Sequence, residues 1–235
     1  MGQEVGKVQR LWRYPVKSLL GEQCSQMRID KRGAWGDRLY TVRDENAKFG
    51  SGKTTRLFTK IDGLFKLSSY YREEQPIVVF PDGTELAAPS VELDGRLSLE
   101  LGKQVTVERE GDISHFDDCP IHIISTSGLL ALKNALPEIA IDERRFRPNL
   151  VLNTVGRGPV ENEWIGKQLQ IGNELILEII QKTERCGMVT FAQGNLPREP
   201  HVLKHLSQEY DLCFGVYAHI IQTGNIAVHD QVKLL

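Results

Sequence analysis

The stretch Ile121-His122-Ile123-Ile124-Ser125-Thr126-Ser127-Gly128-Leu129-Leu130-Ala131-Leu132-Lys133-Asn134-Ala135-Leu136-Pro137 holds two kinds of element in a row. Residues 121–125 are a short apolar run of the β type. Residues 127–136 follow a serine cap and end before a proline, which predicts a helix. Moving outward in both directions, runs of the first kind prevail. They recur at 8–14, 39–42, 77–80, 104–108, 150–152, 175–180 and 216–222. Turn chemistry bounds them: Pro81-Asp82-Gly83, Asp94-Gly95, Glu110-Gly111-Asp112, Ile171-Gly172-Asn173 and Thr223-Gly224-Asn225. A second helix is predicted over 200–208, with Pro200 in its first turn and Leu203 and Leu206 three apart. No fixed-period repeat and no low-complexity tract occurs. The pattern predicts a mainly β (α+β) protein, barrel- or sandwich-like, with a few covering helices. A polar loop at 111–117 divides it into a β-rich segment, 1–110, and a second half, 111–235, with a ligand expected between the two.

Composition narrows the function. At 235 residues, 40% hydrophobic and 26% charged, the chain is globular, which excludes disorder and collagen-like order. Lys and Arg total 29 against 31 Asp and Glu, a net charge of −2 that argues against bulk nucleic-acid binding but allows a local basic pocket. No apolar run approaches the roughly 18 residues of a membrane helix. The opening MGQEVGKVQR has no apolar signal region, and Gly6 stands where myristoylation needs Ser or Thr. Cys24, Cys119, Cys186 and Cys213 are scattered, with no C-x-x-C pair. Free thiols in a reducing cytoplasm are expected, without a zinc site or an iron–sulfur cluster built from this chain.

Four places carry candidate chemistry. In Arg13-Tyr14-Pro15-Val16-Lys17-Ser18 the proline marks a strand edge or end. Lys17 and Ser18 leave the sheet there, either as an oxyanion grip or as a solvated edge. In Arg144-Arg145-Phe146-Arg147-Pro148-Asn149, Pro148 is expected to hold Arg147 extended. Alternation then puts Arg145, Arg147 and Asn149 on one face and Phe146 on the other. This face either forks onto a phosphate or carboxylate or is solvated and paired with Asp142 and Glu143. In Thr183-Glu184-Arg185-Cys186-Gly187-Met188, the arginine favours a thiolate at Cys186, against the usual fate of a buried small hydrophobe. Finally, Ala47-Lys48-Phe49-Gly50-Ser51-Gly52-Lys53-Thr54 approximates a phosphate-binding P-loop, but Ala47 replaces the first glycine and polar Arg43-Asp44-Glu45-Asn46 precede it. We read it as a glycine-rich hairpin loop with backbone N–H groups free for an anion. His201 and His205 lack the intervening glutamate of a zinc helix and are read as helix surface.

The first three places, in this order, resemble the MOSC family, named for the molybdenum cofactor sulfurase C-terminal domain. The resemblance spans nearly the whole chain. The N-terminal half resembles the β-rich domain that precedes MOSC, through Tyr14-Pro15-Val16-Lys17-Ser18-Leu19 and Gly36-Asp37-Arg38-Leu39-Tyr40. The C-terminal half resembles a β-barrel-like MOSC domain. It carries Ile123-Ile124-Ser125-Thr126-Ser127, Arg145-Phe146-Arg147-Pro148-Asn149, Glu163-Trp164-Ile165-Gly166, Arg185-Cys186 and Gly215-Val216-Tyr217-Ala218. Within the family the chain is similar to the amidoxime-reducing molybdenum proteins.

The resemblance implies a molybdopterin-type cofactor between the halves, with Cys186 as the catalytic thiolate ligand of molybdenum. It assigns Lys17, Ser18, Arg38, Arg147 and Asn149 to the pterin and its phosphate, and Ser125, Thr126, Ser127, Arg185 and Thr190 to the pocket lining. The implied reaction is reductive removal of oxygen from N-hydroxylated compounds, a cytoplasmic oxidoreductase activity. Some relatives carry a fused ferredoxin-like domain; this chain stops at Leu235, so electrons are expected from a separate ferredoxin- or flavin-reductase-like donor. No pyridoxal-phosphate domain fits in this length. His229 stands where relatives often have Gly, and the Gly50–Thr54 loop differs from the family's. Two rival readings stay open: a non-redox carrier of sulfur or of the cofactor that uses Cys186, and a plain anion-binding module built on the arginines.

Overall fold

The computed structural model describes residues 2–235. The run 121–125 is a strand with those bounds, Ile121–Ser125, and all of its side chains are buried. It lies inside an eight-stranded sheet, seven strands of which close into a barrel. The barrel order is Leu150–Asn153, Ile121–Ser125, Cys213–Gln222, Leu175–Glu184, Gln168–Ile171, Gln231–Leu234 and Gln3–Arg13, which returns to Leu150–Asn153. Every neighbouring pair is antiparallel except Ile121–Ser125 with Leu150–Asn153. Closure leaves no open sheet edge around the barrel. Its interior is aliphatic: Val8, Leu11, Ile123, Leu152, Leu177, Ile179, Val216 and Val232 are all fully buried.

The N-terminal strand Gln3–Arg13 completes a barrel otherwise built from residues beyond 120. The barrel therefore draws on both sides of the expected division at 110/111. The rest of the N-terminal half forms a smaller five-stranded sheet: Val105–Arg109, Tyr40–Asp44, Phe49–Ser51 and Phe58–Lys60, with Val16–Lys17 beside Tyr40–Asp44. A three-stranded sheet of Ser68–Arg72, Gln75–Val79 and Glu85–Ala87 packs nearby, and a second core of Val16, Leu19, Val42, Leu67, Leu93 and Val105 joins them.

Three α-helices occur among the described residues: α1 (Val91–Leu101), α2 (Thr126–Ala135) and α3 (Pro200–Glu209). None is long and apolar enough to cross a membrane. The second and third match the sequence expectation, capped by Ser125 and opened by Pro200 respectively. The first overturns it. Asp94-Gly95 is not a turn but the middle of α1, because Leu93 and Leu97, one turn apart, bury into the second core and Ser90 caps the start.

The structure bears on two other local readings. Residues 49–51 form a strand with no helix after it, so the P-loop likeness ends at composition, and the hairpin reading holds for the antiparallel pair Tyr40–Asp44 with Phe49–Ser51. His229 takes φ +78°, the left-handed turn that glycine favours, and its backbone N–H donates to Val8 O at 2.8 Å.

Candidate functional site

Between the barrel and the smaller sheet lies a cavity of about 320 Å³. Lys17 and Ser18 reach it from the end of the strand Val16–Lys17, and Arg38 from the turn before Tyr40–Asp44. Arg145, Phe146, Arg147 and Asn149 come from the segment before Leu150–Asn153, and Arg185 and Cys186 from the end of Leu175–Glu184. Three of these residues, Ser18 (φ +67°), Arg38 (φ +50°) and Arg147 (φ +53°), sit in the left-handed region that costs a non-glycine residue about 1–2 kcal/mol. Such outliers gather where the surrounding structure has another use for the side chain.

Arg147 corrects the sequence reading. It is not extended; it closes the 3₁₀ turn Glu143–Phe146 in a left-handed conformation. Pro148 disfavours a right-handed helical continuation, and a left-handed residue is the ordinary way to stop such a turn. Strand alternation therefore fails: Arg145 and Phe146 are both buried. Arg145 Nη1 and Nη2 donate to the carbonyls of Phe191 (3.2 Å) and Pro197 (2.8 Å), holding the loop after Cys186. Arg144 alone takes the solvated, Asp142-paired role.

The inner wall is cationic. Lys17, which is buried rather than solvated, donates from Nζ to His115 O (2.6 Å) and Asp117 Oδ1 (2.7 Å). Burial pulls its pKa down, and Asp117 offsets this only in part. Arg38 pairs with the buried Asp37 and donates to Arg147 O at 3.2 Å. Burial is the largest influence and works against its charge, yet Asp37, Tyr14 and Asp117 together outweigh it and leave Arg38 firmly protonated. Arg147 lies 4.2 Å over the Tyr14 ring and donates from Nη1 to Leu19 O at 2.7 Å. Burial, helped by Arg38, lowers its pKa to about 10, so it remains a cation at neutral pH. Arg185 Nη2 donates to Phe146 O at 2.7 Å; burial lowers its pKa, while Tyr217 and Cys186 act in the opposite direction. Lys17, Arg38, Lys53, Arg145, Arg147 and Arg185 thus stand against Asp37, Asp117 and Glu184, three more cations than carboxylates.

Three arginine donors among the residues lining the cavity are unpaired. Arg145 Nε, Arg147 Nη2 and Arg185 Nε are buried without a hydrogen-bond partner. A buried donor left unpaired costs about 1–3 kcal/mol, more when charged, so an arriving anion is favoured there. Beside them the Cys186 thiol is exposed to the cavity. No group of three His, Cys, Asp or Glu capable of holding a metal occurs among the described residues. A metal on Cys186 would draw its remaining ligands from a non-protein group. The residues present fit a phosphate-bearing cofactor that brings a soft metal with it.

Not every expected site residue is here. Ser125, Thr126 and Ser127 do not line the cavity. The Ser125 hydroxyl caps α2 by accepting from Gly128 N (3.0 Å), Thr126 Oγ1 accepts from Thr154 N (3.1 Å), and Ser127 shares a hydrogen bond with Thr154 (2.9 Å). The Ser125 hydroxyl is consumed in starting the helix, and those of Thr126 and Ser127 in tying it to Thr154, just past the strand Leu150–Asn153. Thr190 is likewise outside the lining and donates to Gly187 O at 2.8 Å, closing the short turn after Cys186. Asn149 lines the cavity, but its amide is committed to the wall, accepting from His122 N (3.2 Å) and donating to Trp12 O (3.4 Å).

The cavity also holds residues that sequence reasoning missed: Ser51, Lys53, Phe58, Phe116, Asp117, Cys119, His122, Glu184, Met188 and Tyr217 among them. Lys53 and Ser51 belong to the P-loop-like stretch, so that signal marked the right place for the wrong reason. The His122 ring lies 5.6 Å from that of Tyr217, and burial holds it neutral, far below the ordinary histidine range.

His115, whose carbonyl accepts from Lys17, is fully buried with its Nδ1 3.1 Å from Arg38 O. Burial lowers its pKa from 6.5 to about 4, with Glu110 acting in the opposite direction. The folded protein therefore refuses a proton that the unfolded chain accepts below pH 6.5. Stability falls as pH drops from 6.5 towards 4, by roughly 3 kcal/mol from this residue, and levels off below. Thermal melts between pH 7 and pH 4 should show this decline, and His115→Gln should flatten it. An unchanged slope in the variant would refute the assignment.

Comparison with known proteins agrees with this architecture. The MOSC domain matches residues 110–233, more than half of the chain, and the MOSC N-terminal beta barrel domain matches residues 5–74. Mitochondrial amidoxime-reducing component 1 of Mus musculus is 22% identical over 289 residues, covering 99% of this chain and 83% of the relative. The crystal structure of the YuaD protein from Bacillus subtilis superposes with a TM-score of 0.51 at 12% identity, covering 100% of this chain and 98% of that one. Family and relative together support a function related to the molybdenum cofactor.

Proposed function

This chain belongs to the MOSC domain family, and on that premise we propose that it is a cytoplasmic molybdenum-cofactor oxidoreductase that reduces N-hydroxylated compounds with electrons from a separate donor protein. One observation carries the reading: an exposed cysteine thiol opens onto the same cavity as three arginines, each with a buried donor that lacks a partner. Four free cysteines also suit a reducing compartment.

When bound, the cofactor would supply two-electron chemistry at molybdenum, by which R–NH–OH, two electrons and two protons become R–NH₂ and water. The chain's residues then divide the work. Cys186 would be the protein's sulfur ligand, since a thiolate is the form that binds a soft metal. Arg147 and Arg185 would give their free N–H groups to the phosphate and pterin, each such charge-assisted bond contributing about 1.5–3 kcal/mol. Lys17 and Arg38, held by Asp117 and Asp37, would complete the anion grip with Ser18. Asn149 would keep the wall in register through His122 and Trp12. Tyr217, whose hydroxyl burial keeps protonated, faces the cavity as a hydrogen-bond donor, and solvent entering through the cavity mouth would supply the protons.

The test is elemental analysis for molybdenum with pterin fluorescence, on protein made in a host that synthesises the cofactor. Near one molybdenum per chain, with dithionite-driven reduction of an aryl amidoxime, is the expected result. Pterin without molybdenum, or a persulfide on Cys186, would replace this reading with a carrier. A folded protein holding neither metal nor pterin would sink it.

A further inference from the structure

Residues 46–61 hold four cations, Lys48, Lys53, Arg56 and Lys60, and no carboxylate, in a chain whose net charge is −2. The structure puts this run beside the cavity mouth. Ser51, Lys53 and Phe58 line the cavity, while Arg56, Leu57 and Lys60 are exposed just outside it. The strand Phe58–Lys60 is the edge of its sheet. Arg56 has no ion-pair or hydrogen-bond partner among the described residues, and Lys60 has only the exposed Asp62 at 3.3 Å. Leu57, between them, is 51% exposed.

Lysines on an edge strand commonly serve to repel other strands. That purpose does not call for a half-exposed leucine among the cations, nor for contact with a cavity. The loop is also fixed against the cysteine segment. A Cβ on Gly52 would come within 2.1 Å of Phe191 Cε2 and 2.5 Å of Met188 Sδ, so the loop backbone packs directly on these two side chains. The basic surface therefore lies against the turn that follows Cys186.

We propose that residues 53–60 are the docking surface for an acidic, one-electron carrier protein. The identity of this partner rests on the oxidoreductase reading above. Two carriers would dock in succession, each oxidised by one electron. The pair of electrons, with two protons, reduces one N–OH to N–H and water. Charge complementarity at such a rim chiefly raises the rate of productive encounter, and salt screens it. The carboxylates that reach the cavity lie on other segments, and Asp117 is neutralised by Lys17.

The experiment uses an acidic plant-type [2Fe–2S] ferredoxin as the probe and the double variant Arg56→Glu, Lys60→Glu. Both side chains are exposed and outside the cavity lining, and melting temperatures confirm folding. Calorimetry with oxidised ferredoxin should show roughly tenfold weaker binding by the variant at low salt, a difference that shrinks at about 0.3 M salt. Turnover driven by dithionite, which needs no docking, should be equal in the two proteins, whereas ferredoxin-driven turnover should fall with binding. Equal binding by both proteins, or none by the wild type at low salt, would overturn the proposal. A wild type inactive even with dithionite would instead sink the oxidoreductase reading, and the calorimetry would still decide whether an acidic protein docks here.

Discussion

Cys186→Ala protein should fold, melt at the wild-type temperature and hold no molybdenum. The thiol is exposed, and its residue starts the turn Gly187–Thr190 without a side-chain capping bond. Surface truncations of this kind usually change stability by less than about 0.5 kcal/mol. The consequence for the metal is the opposite. With no group of three metal-binding side chains elsewhere among the described residues, nothing in the chain replaces the lost sulfur. Amidoxime reduction should fall to background. Pterin should be retained in part, because Lys17, Arg38, Arg147 and Arg185 are untouched.

Cys119 supplies the control. It lines the same cavity, but it is 9% exposed, and burial pushes its thiol up to about 11, so it stays protonated at neutral pH. A protonated thiol is not a ligand. Cys119→Ala should keep its molybdenum and its activity. Elemental analysis of both variants decides the matter. Full metal in Cys186→Ala, or its loss only in Cys119→Ala, would move the ligand elsewhere.

Gly215→Ala is the substitution expected to damage the fold most. Gly215 has φ +82°, and an added Cβ would sit 2.6 Å from His122 Nε2, Ile123 O and Ile124 Cγ2. The left-handed backbone alone costs about 1 kcal/mol or more. The carbonyl of Ile123 belongs to the neighbouring barrel strand and cannot turn away, so Cys213–Gln222 and Ile121–Ser125 must separate. Overpacking of this kind adds about 1–3 kcal/mol. At about 2–4 °C per kcal/mol for a chain of this size, the melting temperature should drop by roughly 10 °C. Because His122 is both the residue struck and part of the cavity wall, cofactor retention should fall with it. Gly95→Ala gives the contrast: it lies inside α1 with nothing within 4 Å of the new Cβ, and should stabilise by about 0.5–1 kcal/mol. Calorimetric melts of the two variants should therefore move in opposite directions. A Gly215→Ala protein that melts like the wild type would refute the steric argument.

What was legible in the sequence was local, and its limits are local too. The run 121–125 gave its strand without error because a continuous apolar stretch next to a serine cap admits few other readings. Helix α1 was missed because Asp94-Gly95 looks like a turn, while Leu93 and Leu97 bury in a core shared with Leu19 and Val42, more than fifty residues earlier in the chain. Asp94 itself ties the helix to the following strand, accepting from Val107 N at 2.8 Å. Arg147 was expected extended and is instead left-handed, since its turn, closed locally onto Arg144 O, is also held by Leu19 O and the Tyr14 ring, which lie far away in the sequence.

The sequence by itself determined the element types over most strands, the cationic and sulfur chemistry of Lys17, Arg38, Arg147, Arg185 and Cys186, and the family to which their order belongs. Only the tertiary structure decided which residues meet. Barrel closure of Gln3–Arg13 on Leu150–Asn153 brings the N-terminal lysine and the central arginines to one cavity, and that pairing depends on contacts more than a hundred residues apart. It also decided that the Ser125 hydroxyl caps the helix while those of Thr126 and Ser127 bond Thr154, and that Arg145, Arg147 and Arg185 each keep a donor free. Whether a polar group is satisfied depends on where every other acceptor lies in space, which side-chain identity and spacing along the chain do not specify.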